Sequence, residues 1–429
     1  MRDRIVAGID VGTSKVVTII ASIKEEGPPS IIGVSVVDSK GLRKGQVVDI
    51  EDAIEAISPS LEGSERMAGT SVATAYVGIG GNHISSQNSH GVVAVAHPEK
   101  EITSDDVARV IDAAKAIQLP QSRHILHVLP RGFIVDGQEG IADPIGMTGV
   151  RLEVDTHIVT GGATAVRNLE KCVGELGVGS EGIVFNGFAS AQAVLTDTEK
   201  ELGVVLVDIG GGTTDVAVFV EGALSYSSVI PIGAKNITND LAIGLRVSLE
   251  SAEKIKLLLS QKPKVPALPD EEIKYRRKDE DEINLDSLKL TEDLKKVSRK
   301  TLIEGIIKPR LNEIFTMVGL EIKKSGFGGM TPSGLVVCGG GAETVGIVEA
   351  ARKNLAMPVR IGVPQNITGL VDEILKPAFA TSVGLVLYGI KLVPKESQGM
   401  FNQVGKFTGK LPVKGILGKI VDILKPFLP

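Results

Sequence analysis

Asp10 and Asp208 each close an apolar strand, and each is followed by glycines and hydroxyls. Gly12, Thr13, Ser14 and Lys15 follow the first; Gly210, Gly211, Gly212, Thr213 and Thr214 follow the second. Glycines let a turn come close to a polyanion and aim backbone N–H groups at it, while Thr and Ser hydroxyls add neutral donors. A carboxylate repels phosphate, so the two Asp side chains fit instead as outer ligands of a Mg²⁺ that keeps most of its waters. One D-x-G alone is only a tight turn after a strand. Two matched copies facing one another describe a clamp on the β- and γ-phosphates of a nucleotide.

The elements that must carry these turns are legible nearby. Arg4 to Ile9 alternates and Val204 to Val207 is β-branched, so both predict buried strands, and Val16 to Ala21 and Val216 to Val220 predict their partners. Strand, glycine turn, strand is a hairpin, not the strand-to-helix turn of a P-loop, and no G-x-x-x-x-G-K-[ST] occurs in the chain. Gly177, Gly179 and Gly182 in GVGSEG satisfy G-x-G-x-x-G, but they follow a helix-like segment and precede a strand, the reverse of the dinucleotide fingerprint. That stretch is expected to be a loop.

At 429 residues the chain exceeds one ordinary domain, so at least two lobes are expected. With 43% hydrophobic and 23% charged residues it is of globular composition, and a net charge of −5 is too small to suggest a nucleic-acid surface. From Lys391 onward, seven Lys against Glu396 and Asp422 leave the tail at +5 and the remainder at −10. Cys172 and Cys338 sit inside apolar runs as small buried hydrophobes, in keeping with a reducing cytoplasm. The start MRDRIVAGID enters a strand without a leader, and no uncharged run is long enough to span a membrane, so a protein neither exported nor integral is expected. His124 and His127 in HILH lie in an apolar run with no acidic or thiol cluster around them, and packed histidines explain them better than a metal site.

The two hairpins resemble the phosphate motifs of the actin, Hsp70 and sugar-kinase superfamily, and VVCGGGAETVGIVEAARKNLAMPVRIG, from Val336, resembles its adenosine motif. That resemblance sets Gly339, Gly340 and Gly341 against base and ribose at a helix N-terminus. Glu253, Lys256 and Ser260 of SAEKIKLLLS have the spacing of adenine and ribose contacts and share a helical face, though an ordinary surface helix with a Glu/Lys pair has it too. FASAQAVLT with ELGVVLVDIGGGTTD, then VIPIGAKNITNDLAIGL, TLIEGIIKPRLNEIF, VRIGVPQNITGL and FATSVGLVLYG together resemble the FtsA family of bacterial cell-division proteins, from about Ile5 to Gly389.

The resemblance implies an α/β, actin-like (ribonuclease H-like) duplicated ATPase fold of two lobes with a small strand–helix domain inserted in the first. Residues 1–82 and 162–197 form the first lobe, 83–161 the insert, 198–235 and 327–390 the second lobe, and 236–326 its smaller subdomain. In the insert, a helix within GVVAVAHPEKEITSDDVARVIDAAKAI is capped by Thr103 or Ser104 ahead of Asp105 and Asp106, and strands lie around Ile125 to Val135 and Val154 to Val159. Asp10 and Asp208 hold Mg²⁺ through its waters; Thr13, Ser14, Thr213 and Thr214 contact the phosphates of ATP and Lys15 neutralises them. Asp215 is an outer-shell ligand or a strand cap. Where active relatives place Glu or Gln to orient the attacking water, this chain reads NGFASA, which puts Asn186 there, with Gln192 the nearest other candidate. An amide positions water but takes no proton, so tight ATP binding with slow hydrolysis is expected.

After 391 a polar, Gly- and Lys-bearing linker to 412 is followed by VKGILGKIVDILKPFLP, with an amphipathic helix expected over 413–428. At 100° per residue Val413, Ile416, Leu417, Ile420, Val421, Ile423, Leu424, Phe427 and Leu428 fill one arc, opposite Lys414, Lys419, Asp422 and Lys425. Gly415 and Gly418 each cost about 1 kcal/mol of helix stability, so this helix should form on contact, with its lysines suited to an anionic bilayer surface. Docking on the protein's own core is the competing use. Gln261 to Lys300 is densely charged and reads as a solvated loop and helix start. The resemblance makes that subdomain the receptor for the C-terminal peptide of FtsZ, with Arg299, Lys300 and Glu304 as candidate contacts. It also implies an actin-like polymer or dimer of the chain itself, recruitment of other division proteins, and a peripheral place at the septum on the cytoplasmic side of the membrane. A small-molecule kinase needs a further catalytic Asp, which is not evident, and a chaperone needs a substrate domain after the nucleotide fold. A pilus-assembly actin homologue would lack this tail.

Overall fold

The computed structural model describes residues 4–24, 27–96, 101–261 and 281–392. Its backbone is built on two sheets of the same design. In the first, Arg4–Val11 pairs antiparallel with Lys15–Ile23, which pairs antiparallel with Ser30–Asp38. On its other side Arg4–Val11 runs parallel to Thr74–Ile79, and that strand parallel to Gly179–Phe185. In the second, Val204–Ile209, Thr214–Val220 and Ala223–Ile230 form the antiparallel trio, and Leu335–Cys338 and Val359–Ile361 the parallel pair. Both sheets therefore have the order third, second, first, fourth, fifth. Thr368–Gly369 extends only the first.

These central strands are apolar at nearly every position because helices cover both faces. Val204–Ile209 and Thr214–Val220 are buried throughout. Ile50–Ala68 packs Ala53, Ile57 and Leu61 onto the first sheet; Asp49 caps its start by accepting from Asp52 N–H, and Gly69, left-handed, ends it. Asn186–Val194 and Ala380–Leu392 pack together between the lobes, and one apolar cluster runs from Ile9 and Ile20 through Ala189 and Val383 to Leu206 and Ala217.

Between Ile79 and Ala163 the chain leaves the first sheet and builds a second, all-antiparallel one, in the order Ser85–Ala94, Arg151–Gly162, Arg123–Val135, Gln138–Ile141. The helix Ser104–Lys115 covers it with Val110, Ile111 and Ala114 against Phe133, Leu152 and Val154. Of the two candidate caps Thr103 is the one used, in a reciprocal pair with Asp106.

Two expectations need correction. GVGSEG is not all loop: Gly177 lies in a turn, but Gly179 and Gly182 belong to the strand Gly179–Phe185, with a bulge between Ser180 and Gly182. The charged stretch is not only loop and helix start, since Glu282–Asn284 pairs with Lys296–Ser298. Arg299–Leu302 then runs through a π turn, Ile303–Ile307, into Lys308–Ser325. The helix Ala380–Leu392 takes the first two residues of the expected linker. The rest of that linker and the amphipathic segment bearing Ile416, Leu417, Ile420, Leu424, Phe427 and Leu428 lie outside the described residues. Among the described residues no helix is long and apolar enough to cross a membrane. Cys172 and Cys338 are buried free thiols, and His127 is fully buried, its Nε2 accepting from Phe185 N–H at 3.0 Å.

Candidate nucleotide site between the two hairpins

Each hairpin turn is closed by the same backbone bond: Gly12 N–H donates to Lys15 O at 3.0 Å, and Gly210 N–H to Thr213 O at 2.9 Å. The turns lie against each other. A methyl on Gly212 would come 2.9 Å from Thr13 Oγ1, and one on Gly211 would overlap Ser14 Oγ, so only glycine permits the approach. Thr13 Oγ1 accepts from Gly45 N–H at 3.0 Å, which brings the loop between Arg43 and Gln46 over the mouth, and Thr13 O accepts from Lys235 Nζ at 2.8 Å.

Below the turns the charges are buried together. Asp208 accepts from the Ser190 hydroxyl and, at 3.0 Å, from Thr381 Oγ1. Burial still outweighs these donors and raises its pKa. Asp10 is pushed up to about 7 by burial, opposed by Lys15 and reinforced by Asp208. Asp215 lies across the ladder from Asp208, and burial, then Asp208 and Asp10, raises it well above the usual carboxylate range. Lys15 Nζ sits 3.7 Å above the Phe379 ring, and burial lowers its pKa. Asn186 begins its helix at this point, close enough that a methyl on Gly78 would lie 2.7 Å from its Oδ1. Asn186 Oδ1 and Asp215 Oδ1 are buried without a hydrogen-bond partner. Three buried carboxylates, two of them acting on Lys15, with orphaned oxygens, suit a hydrated cation. Among the described residues no three acidic, His or Cys side chains are grouped to hold a metal directly, so the fit is to a cation kept at one water's remove.

The second glycine segment reaches the same place. Gly339 adopts φ +81°, and a methyl there would overlap Asp208 Oδ1, while Gly340 begins a short helical turn and Gly341 packs on Ile209. Glu253 and Lys256 form a connected group: Lys256 Nζ donates to Glu253 at 2.7 Å and to Thr238 Oγ1 at 2.9 Å. Ser260 Oγ accepts from Val345 N–H at 3.3 Å, tying this helix to the glycine segment. The fully buried Thr214 hydroxyl donates to Ile232 O at 2.8 Å. Gln192 bonds Lys391 at 2.7 Å rather than facing the hairpins. Arg299 donates to Leu259 O, Lys300 N–H to Asp281, and Glu304 pairs with Lys308. Ser190, Thr381, Gly45 and Lys235 also belong to the site; the first two and Lys235 lie in segments that carry the family resemblance, but no role was expected of them.

The sequence was compared with known proteins. The family described as "Cell division protein FtsA" matches residues 205–384, and that described as "SHS2 domain inserted in FTSA" matches 81–160. The Cell division protein FtsA of Pseudomonas aeruginosa is 41% identical over 407 residues, 92% of this chain and 91% of that one. This chain belongs to the FtsA family. FtsA of Bacillus subtilis is 38% identical over 89% of this chain and 83% of its own, and FtsA of Escherichia coli 34% over 90% of each. By shape the chain is similar to the PilM-PilN type IV pilus biogenesis complex, with a TM-score of 0.61 and 14% identity over 90% of this chain and 98% of that one. MreB 5 of Spiroplasma citri bound to AMPPNP aligns with a TM-score of 0.51 and 14% identity over 91% and 98%. At such identities these two carry the fold alone, which is actin-like. The inserted FtsA domain falls on the four-stranded sheet and its helix.

Proposed function

We propose that this FtsA-family chain binds ATP between the hairpin turns, polymerises, and tethers FtsZ to an anionic cytoplasmic membrane at the division septum. The observation that carries the nucleotide reading is the pair of equivalent turns in contact, each backed by a buried Asp, with Lys15 between. A chain of like fold bound to AMPPNP supports it. Mg²⁺ would be held through water by Asp10 and Asp208 and would neutralise charge on the β- and γ-phosphates. Thr13, Ser14, Gly211, Gly212 and Thr213 offer the phosphates donors, and Lys15 offers them charge; Gly12 and Gly210 close the turns with their own N–H groups. Glu253, Lys256, Ser260 and Gly339 to Gly341 form the nucleoside end. Asn186 holds a water by its amide but takes no proton from it, so hydrolysis is slow.

The membrane and partner parts rest on sequence. The segregated apolar arc of 413–428 and its lysines support an interfacial helix, and weak single anchors become firm when copies are linked in a polymer. The second lobe's smaller subdomain is the proposed seat of the FtsZ C-terminal peptide, and other division proteins join this assembly. Electron microscopy on anionic lipid with and without Mg-ATP tests nucleotide, polymer and membrane together; lipid-bound filaments that need ATP are expected. Co-sedimentation with liposomes, comparing the full chain with one ending at Val393, isolates the anchor, and equal pelleting would refute it.

A further inference from the structure

Lys235 belongs to one lobe by its backbone and to the other by its side chain. The helix Ala234–Leu245 starts on the second hairpin turn, where Ala234 N–H donates to Gly210 O and Lys235 N–H to Gly211 O, both at 2.9 Å. Gly233 permits this docking, since a methyl there would lie 2.6 Å from both carbonyl oxygens. From that footing the Lys235 ammonium reaches Thr13 O in the first turn, at 2.8 Å across 222 residues of chain. It ties the helix seated on the second turn to the first turn.

The acceptor matters. Thr13 C=O and Ser14 N–H belong to one planar peptide unit, so a cation fixed on the oxygen fixes the plane and with it the direction of the N–H. A charged donor on the oxygen also polarises that N–H as a donor in turn. Its two ends sit on different lobes, so any separation of the lobes at this point would have to break it.

We propose that Lys235 is a positioning residue of the nucleotide site, a clasp that holds the first turn against the second and slows release of a bound nucleoside triphosphate. This rests on the nucleotide reading above. The test is stopped-flow release of N-methylanthraniloyl-ATP with Mg²⁺ from the full chain, its Lys235→Met and Lys235→Arg variants. Lys235→Met is expected to release about tenfold faster with little change in association, Lys235→Arg to release near the parent rate because it still donates to the carbonyl, and nucleotide-free thermal unfolding to be the same in all three. Equal release from Lys235→Met and the parent overturns the clasp, as does equal acceleration by Lys235→Arg. A parent chain that binds no nucleotide overturns the nucleotide reading, and the clasp falls with it.

Discussion

The two hairpins share strand order, register and turn bond, yet they manage their buried acids in opposite ways. Asp208 is held by neutral hydroxyls from Ser190 and Thr381, on the two helices packed between the lobes. Asp10 instead faces the ammonium of Lys15. The next strand repeats the contrast, because Cys338 lies beside Asp208 whereas Gly78 lies beside Asp10. The missing side chain at Gly78 is what admits the Asn186 amide. The two copies thus share a scaffold while Asp208 is surrounded by hydroxyls and a thiol and Asp10 by an ammonium and an amide.

If those hydroxyls hold the second hairpin the more firmly, the largest loss of stability should follow from disturbing it. Gly339→Ala puts a methyl into Asp208 Oδ1 and Ile209 O at a backbone angle of φ +81° that alanine resists. We expect a loss of about 3 kcal/mol or more in urea unfolding. Gly78→Ala meets only the end of the Asn186 side chain, which can turn aside, so its cost should stay near 1 kcal/mol while turnover of ATP falls. Equal losses from the two would break the contrast.

Asp10 sharpens it with a sign. Its folded pKa of about 7 lies above the 3.8 of the unfolded chain. Between those values the folded state binds more protons, so stability falls as pH rises from about 4 to about 7 and is flat above. Asp10→Asn removes that penalty. In the chelator-treated chain it should raise stability at pH 8 by on the order of 2 kcal/mol and flatten the pH slope, while weakening Mg-ATP binding. Unfolding curves at pH 5 and pH 8 check both; a variant less stable than its parent at pH 8 would mean that Lys15 compensates the burial of Asp10 in full.

Much of this was legible because the signals are local. Alternating and β-branched runs broken by glycines are set by period and turn chemistry, and both hairpins could be read from a dozen residues each. Ser190, Thr381 and Lys235 could not be given roles, since each acts through a neighbour brought close by packing, although FASAQ, FATSV and IGAKN carry the family resemblance. Two details of the site were open to a local reading. Gln192 is six residues from Asn186, and at 100° per residue the two point to different sides of one helix. Thr214 opens a strand and Thr213 ends the turn before it, and side chains alternate along a strand, so the two hydroxyls need not share a face.

That alternation supplies the finest division between the hairpins. Thr214 spends its hydroxyl on Ile232 O within its own lobe, whereas Thr13 spends its hydroxyl on Gly45 N–H at the mouth of the cleft. Both are single neutral hydrogen bonds, so Thr214→Val and Thr13→Val should each cost about 1 kcal/mol of stability. They should part in binding. Thr214→Val leaves the turn untouched, and its ATP affinity should stay within about twofold of the parent. Thr13→Val frees the loop between Arg43 and Gln46 from the turn and removes a donor facing the phosphates, and its affinity should fall about tenfold. Isothermal titration of both variants decides it: a larger loss of affinity from Thr214→Val would mean that the second hairpin, not the first, grips the ligand through its hydroxyls.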